Sequence, residues 1–478
     1  MPEWTNYGPQ FKFFYQISQI PRGSFNEKEV VDYIQRFAEE RGLEYTRDEL
    51  GNMIIRKPAS PGREDEPALA LQAHTDMVCN KVPGSKHDFT KDPIDIIEED
   101  GWLTANGTTL GADDGAGVAN ILALLDDDTL SHPMLECILT VQEEDGMGGA
   151  KAIDLSSVTA RRMIGLDGIL EGSTIYSASA VRGCHFSTDM GEANGSDPCY
   201  KLEVSGLTSG HGALLIGSER ANAIKLTAEI LRAISRVSDV KLVSVKGGGL
   251  IHVIPGSCES VFACAADFDT IEKIVADKLA YLKVKYQDSD PGMHMIVTPV
   301  NASGARVSSA EGSLRVIRFI ELLPVGALKR DPDDLSLVSG SFNLSIIDMK
   351  DRRLDCDMVC RSNWPVDVEE LFALAGDYAE LSGMDMEKTI WYAGYHVPID
   401  SPLILLWADV YREATGKELI VQHLHSGLDA GEISEKLGLT DMIVMMPTTP
   451  DVHTPNERVG IESWKNTYKW LREIIERC

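Results

Sequence analysis

The sequence predicts an α/β protein: a helix-covered, mostly parallel sheet interrupted by an inserted α+β domain. Three observations point there. From about residue 68 to residue 167, short apolar strands alternate with amphipathic helices, the rhythm of a parallel sheet covered by helices. After about Val181 the strands alternate polar and apolar residues in the antiparallel manner, and after about Val397 the first style returns. At 478 residues the chain also exceeds what one hydrophobic core ordinarily supports. The expected first domain therefore covers 1–183 and 397–478, and the inserted domain covers 184–396.

Each element follows from local pattern. Over 26–41, Val30, Val31, Ile34, Phe37 and Ala38 recur at helical spacing. "GLEYTRDELGNMIIRK" reads as strand, turn and strand, and "PASPGREDEP" as a polar surface turn. "ALALQAHTDMV" is a strand, "GWLTANGTTLG" a hairpin, 115–125 a helix, 137–141 a buried strand and "RRMIGLD" another. In the inserted domain "CYKLEVSGL" is an antiparallel-type strand and "RANAIKLTAEILRAIS" a helix. "SVFACAADFDTIEKIVADKLAYLKVKY" runs strand then helix, and "RLDCDMVCRSNWPVDVEELFALAGDYAEL" repeats that grammar, so two related, ferredoxin-like modules are expected. "LTDMIVMMP" is a further buried strand and "IESWKNTYKWLREII" a closing amphipathic helix.

Composition narrows the function. The 43% apolar and 25% charged content belongs to a soluble globular protein, and a net charge of −29 opposes nucleic acid or an anionic membrane as partner. Apolar runs such as "MIVMM" are too short to span a bilayer, and "MPEWTNYGPQFKFF" has no signal-peptide pattern. Nine cysteines without CxxC pairs point to a reducing cytoplasm without structural disulfides.

The chemistry-bearing residues stand at strand ends. In "ECILTVQEEDGMGG" the strand releases Glu143, Glu144 and Asp145 side by side, and mutual repulsion calls for a positive charge between them. In "LQAHTDMV", His74 and Asp76 are two apart and share one strand face, so Asp76 can accept the second ring N–H of a metal-bound His74. A hydrogen-bonded surface pair would read the same. In "TLGADDGAGVAN", Asp114 suits a helix N-cap, but a cap does not need the second acid, Asp113, and the glycine-bent loop can aim one carboxylate into a cleft. Asp167 in "IGLDG" and His453 in "PDVHTPNE" follow further apolar strands. Ligands at the carboxyl ends of neighbouring strands converge on one crevice. Two His with several Asp and Glu suit zinc or a similar divalent ion, and the carboxylates exceed what one ion needs.

The order HxD, GADDG, EED, LD and a late DVHTPNE resembles the di-zinc metallopeptidase family of carboxypeptidase G, aminoacylase, peptidase T and the cytosolic dipeptidases. "QAHTDMV", "TLGADDGAG", "QEEDGMGGA", "SASAVRG" and "HSGLDAG" are most similar to its aminoacyl-histidine (Xaa-His) dipeptidase branch. The resemblance covers almost the whole chain. It implies two zinc ions, with cobalt or manganese fitting the same ligands: His74, Asp113 and Asp167 on one, and Asp113, Glu144 and His453 on the other. It further implies Asp76 as orienter of His74, Glu143 as general base, and a cis peptide at Asp113–Asp114. Asp at position 167 accompanies dipeptidase and aminopeptidase action in the family, where carboxypeptidase-type members tend to carry Glu.

The resemblance implies that the inserted domain is the family's lid. His211 in "GLTSGHGALL" matches the lid histidine that meets the oxyanion, although the family usually reads GGHSG there. Arg361 matches a lid arginine for the substrate carboxylate, and a planar fork suits that task. His252 stands where the family often has Asn. "HLHSGLDAGEI" resembles its HAGLECG loop, with Asp429 in place of Glu, so Asp429 or backbone near Gly427 is expected at the substrate's amino end. The implied activity is cytoplasmic hydrolysis of unblocked dipeptides, small peptides being the partner and the lid a dimer contact. Tripeptide aminopeptidase and N-acyl amino-acid deacylase are the alternatives within the family.

Overall fold

The computed structural model describes residues 1–478 apart from 169, 194–196, 303 and 333. The chain forms two compact units: Met1–Ala178, Gly394–His423 and Leu428–Cys478 make one, and Ser179–Ala393 with Leu424–Gly427 the other. No pattern in the sequence signals the short return of Leu424–Gly427 to the second unit.

Among the described residues, the main sheet of the first unit has six strands, in the order Glu44–Arg47, Met53–Lys57, Leu135–Thr140, Leu69–His74, Arg162–Gly165 and Asp441–Val444. The last four pair in parallel, and Met53–Lys57 alone runs the other way, pairing antiparallel with both Glu44–Arg47 and Leu135–Thr140. Leu69–His74 and Leu135–Thr140 are buried along their whole length, as expected of strands covered on both faces. The second begins two residues before the apolar run that announced it. Its Glu136 is fully buried because the carboxylate accepts the amides of Thr159 and Ala160 at 2.8 and 2.7 Å.

Register places the crevice. His74 pairs beside Thr140, three and four residues before Glu143 and Glu144. Gln72 pairs with Gly165, which puts Asp167 level with His74 on the neighbouring strand. Both consequences follow from parallel pairing, which lines up the carboxyl ends of successive strands.

The helix Lys28–Glu40 buries the five apolar positions read from its spacing. It starts two residues later than expected because Asn26 N–H closes a turn onto Gly23 O at 2.8 Å. The expected hairpin also shifts. It joins Ile96–Glu99 to Trp102–Ala105, and the rest of "GWLTANGTTLG" leaves the sheet because the amides of Leu110 and Gly111 turn to Glu457. The closing helix Ile461–Arg477 buries Trp464 against Phe11 and Phe14, with ring centroids 4.7 and 5.1 Å apart. Its indole N–H donates to Asn120 Oδ1 at 2.8 Å, tying that helix to Ala112–Leu125.

The second unit is an antiparallel sheet of nine strands among the described residues. It contains the expected duplication in nested form. One βαββαβ module uses strands Cys199–Ser205, Val240–Gly247, Cys258–Cys264 and His294–Val300, with helices Ala223–Ile234 and Phe268–Lys285. It sits within a second module, of strands Ala180–Asp189, Val338–Lys350, Arg353–Ser362 and Asp385–Tyr392, with helices Ala310–Leu322 and Pro365–Ser382. Each orders its strands fourth, first, third, second, and the two second strands join through Lys246–Asp348 and Gly247–Ile347 pairs. Three of these helices start on a side-chain cap: Asn222 accepts the amides of Ile224 and Lys225, Asp267 that of Thr270, and Ser309 that of Gly312.

All nine cysteines are free. No helix among the described residues is long and apolar enough to cross a membrane.

Candidate active site

The crevice at the strand ends of the first unit gathers the expected ligands. His74 closes its strand and is 1% exposed, with Nε2 3.2 Å from Asp113 Oδ1. The other oxygen of Asp113 lies 3.2 Å from His453 Nε2, which is also 2.9 Å from Glu144 Oε1. One carboxylate therefore touches both imidazoles. Ligand atoms of His74, Asp113 and Asp167 lie within 4.8 Å of one another, and so do those of Asp113, Glu144 and His453. A third such group joins His74, Glu143 and Glu144. Asp145 is exposed.

Backbone geometry delivers these side chains. Gly111 has φ +70, and a Cβ there would stand 2.6 Å from the Arg22 guanidinium, so only glycine fits the bend before Asp113. The Asp113–Asp114 peptide is cis. Asp114 caps the following helix, accepting Gly117 N–H at 3.0 Å, and its second oxygen accepts His74 N–H at 3.1 Å. Gln142, just before Glu143, and His453 both adopt left-handed conformations, φ +57 and +65. Non-glycine residues hold such angles where surrounding contacts impose them, a pattern common at functional sites.

The electrostatics call for a cation. Burial and then Asp113 push the Asp167 carboxyl up to about 8. Burial, with the carboxylates of Asp429, Asp167 and Glu144 nearby, holds Glu143 well above its ordinary range. Asp113 and Glu144 together push the His453 imidazole up to about 10. Two rings face an excess of buried acids, and a divalent ion relieves that repulsion while taking the N and O donors present. The residues fit a metal.

Asp76, fully buried, faces His74 Nδ1 at 3.4 Å. It also accepts Glu143 N–H at 3.1 Å, Glu144 N–H at 3.2 Å and Ser24 Oγ–H at 2.8 Å. Asp429 opens the helix Asp429–Leu437, and its Oδ2 accepts the Thr140 hydroxyl at 2.5 Å. Its Oδ1 is buried without a hydrogen-bond partner among the described residues, and burial pushes its carboxyl up to about 7.

The other expected residues belong to the second unit. His211 Nδ1 accepts the amides of Ala213 and Leu214 at 3.1 and 3.3 Å, which leaves the ring proton on Nε2. Burial, Arg361 and His252 hold this imidazole below its ordinary range, so it is neutral at pH 7. The His252 ring centroid lies 5.7 Å from that of His211, and its carbonyl accepts Gly212 N–H at 2.7 Å. Arg361 is 8% exposed, and burial lowers its guanidinium to about 10; among the described residues no acid pairs with it. Gly427 lies in Leu424–Gly427, two residues before Asp429 but in the other unit. There His425 is held through both ring nitrogens, by Ser341 Oγ at 2.8 Å and Asn363 Oδ1 at 2.6 Å.

Sequence reasoning passed over Arg22, Ser24, Glu27 and Glu457. Glu27 Oε1 accepts Gln142 N–H at 2.9 Å. "RGSFNE" offers only a cluster of polar residues between two helices, and Glu457 ends the quoted "DVHTPNE"; neither stretch carries a ligand spacing.

A parallel sheet with a ligand-rich crevice at its strand ends, interrupted by a duplicated α+β unit, defines a hydrolase of the metal-assisted type. The chain belongs to peptidase family M20/M25/M40, whose profile matches residues 70–477. It is 31% identical to the cytosol non-specific dipeptidase of Escherichia coli, over 100% of this chain and 99% of that protein. Its fold superposes on the crystal structure of aminoacylhistidine dipeptidase from Vibrio alginolyticus with TM-score 0.92 and 28% identity, covering 100% of this chain and 98% of that one. Aminopeptidase PepT from Bacillus cereus shares the fold more distantly, with TM-score 0.56 and 17% identity over 98% and 97% of the two chains.

Proposed function

We propose that this protein is a metal-dependent dipeptidase of the cytoplasm, cleaving unblocked dipeptides of the Xaa-His type and others. The observation that carries the reading is the shared carboxylate, Asp113, with one oxygen beside His74 and the other beside His453. The full-length likeness to a cytosol non-specific dipeptidase and to an aminoacylhistidine dipeptidase supports the substrate class and the compartment.

His74, Asp113 and Asp167 would hold one zinc ion and Asp113, Glu144 and His453 a second, with cobalt or manganese accepted by the same donors. When bound, the ions supply Lewis acidity that polarises a carbonyl and makes hydroxide available near neutral pH. Glu143 removes the proton of the attacking water and passes it to the leaving amine nitrogen. Asp76 keeps the His74 proton on Nδ1, so that Nε2 faces the site. His211, neutral and protonated at Nε2, donates to the substrate carbonyl oxygen as negative charge develops there. Arg361 receives the substrate carboxylate, aided by His252. The free Oδ1 of Asp429, with the backbone at Gly427, takes the ammonium end.

In this reading residues 1–183 and 397–478 form the catalytic domain. Residues 184–396 form the lid, through which two copies pair; mass measured in solution tests the pairing. The activity is tested with a panel. Zinc-loaded protein should release free amino acids from Gly-His, Leu-Gly and Ala-Ala, stop on chelation and resume with zinc, cobalt or manganese. Faster cleavage of Ala-Ala-Ala would favour a tripeptide aminopeptidase, and release of alanine from N-acetylalanine alone a deacylase. No turnover of any substrate at full metal loading would end the enzyme reading.

A further inference from the structure

Two buried charged side chains beside the crevice have no part in the chemistry assigned above. Glu457 is 2% exposed. Its Oε2 accepts the main-chain amides of Leu110 and Gly111 at 2.9 and 3.0 Å, and its Oε1 those of Ala112 and Asp113 at 2.7 and 3.3 Å. Successive amides can aim at one point only if the backbone curls around it, as in the anion-binding nests that loops form. Here the anion is the protein's own side chain, and it dictates the curl.

Arg22, also 2% exposed, grips the same loop. Its Nη1 donates to the carbonyls of Thr75 and Asp76 at 3.1 and 2.9 Å, and its Nη2 to the carbonyl of Gly111. The two carbonyls belong to the residues that follow His74, and Glu457 follows His453 by four residues. The 110–113 peptide is thus held by groups tied to both imidazole-bearing segments, and it ends in the carboxylate that touches both rings. Asn80 closes the circuit, its Nδ2 donating to His453 O at 2.8 Å.

We infer that Glu457, assisted by Arg22, is a positioning residue that sets the 110–113 loop so that Asp113 presents one oxygen to each imidazole before any metal arrives. The inference rests on the reading of Asp113 and His453 as metal ligands. Pre-set ligands need no ordering at the moment of binding, so the effect belongs to metal affinity and to the geometry of the bound ion. Glu457→Gln is the discriminating change: it keeps the size but turns an NH₂ group toward amides that are themselves donors. Glu457→Asp keeps the charge and withdraws it by one methylene.

The test uses the full-length chain, stripped of metal and titrated with cobalt(II) against a competing chelator. The visible absorption band, the unfolding midpoint of the metal-free protein, and kcat and KM for Gly-His are followed alongside. Glu457→Gln should bind cobalt roughly 10–100-fold more weakly, the range for groups that hold a ligand in place. Its visible band should change, kcat should fall with KM little altered, and Glu457→Asp should recover part of each. Wild-type affinity and spectrum in Glu457→Gln would overturn the inference, and so would a lowered unfolding midpoint with both unchanged. Should Glu457→Gln fail to fold, Arg22→Lys, which loses the fork that reaches both loops, must show the same weakening; wild-type affinity there overturns it too. A wild-type chain that takes up no cobalt would instead overturn the ligand reading beneath it.

Discussion

Asp76 stands 3.4 Å from Nδ1 of His74, and the same carboxylate accepts the amides of Glu143 and Glu144. One buried acid therefore faces an imidazole and holds the amides of the turn that carries the neighbouring acids. Asp76→Asn should keep the fold but weaken metal binding about 10–100-fold, because an amide cannot accept all of these donors with the same charge. Chelator competition measures this, and unchanged affinity would remove Asp76 from the role of orienter.

Glu143 lies among acids that could include it in a ligand set with His74 and Glu144. The proposed role of general base requires it to stay off the metal. Glu143→Gln should therefore lower kcat roughly 10²–10⁴-fold, the share of general base catalysis, while both ions remain. Elemental analysis of the variant separates the cases, since loss of an ion would make Glu143 a ligand.

Arg361 is a buried cation with no acidic partner among the described residues, an arrangement that opposes folding. Arg361→Met should raise the unfolding midpoint and weaken substrate use together. Losing charged hydrogen bonds to the substrate carboxylate, about 1.5–3 kcal/mol, corresponds to roughly 10–150-fold in kcat/KM. A less stable variant with unchanged kinetics would refute both halves.

Asp290 is 1% exposed and clasps both ends of the loop that carries His211, accepting Thr208 N–H and Ala221 N–H at 2.8 Å each. Asp290→Ala leaves both donors without their charged acceptor. Amides within 208–221 should exchange with deuterium about tenfold faster or more, given about 1.5–3 kcal/mol for bonds to a charged group. kcat should fall while metal content holds. Unaltered exchange in that loop would show that Asp290 does not govern it.

His185 lies directly across from Asp357 on adjacent strands, Nδ1 to Oδ1 2.7 Å, with Asp355 3.3 Å from Nε2. Burial works against charge on this ring, but the two aspartates outweigh it and raise its pKa. A raised histidine binds its proton more tightly in the folded state. The stabilisation is therefore complete below the unfolded value near 6.5 and is lost as pH rises through the folded value. His185→Gln should cost up to about 1 kcal/mol at pH 5.5 and nothing from this source at pH 9, read from urea unfolding at both. A pH-independent difference between wild type and variant would contradict this.

Much of the site is legible in sequence because strand ends and helix starts announce themselves. His74, Asp113, Glu143, Glu144 and Asp167 each follow an apolar run or a glycine bend, and parallel register does the rest, setting Asp167 level with His74. Glu136 shows where the reading fails. A charge within a buried strand looks like a strand boundary until the amides of Thr159 and Ala160 are seen to satisfy it. Leu424–Gly427 is similar, since its attachment to the second unit depends on His425 meeting Ser341 and Asn363, residues 84 and 62 positions away.

The sequence by itself determined the fold class, the duplicated insertion and the residues able to bind metal, because hydrophobic period and ligand type are local properties. Only the tertiary structure decided that Asp113 faces both imidazoles, that the proton of His211 rests on Nε2, and that Glu457 and Arg22 hold the loop between them. Those outcomes depend on hydrogen bonds between groups far apart in the chain, and a donor's direction is set by the backbone around it, not by its residue type.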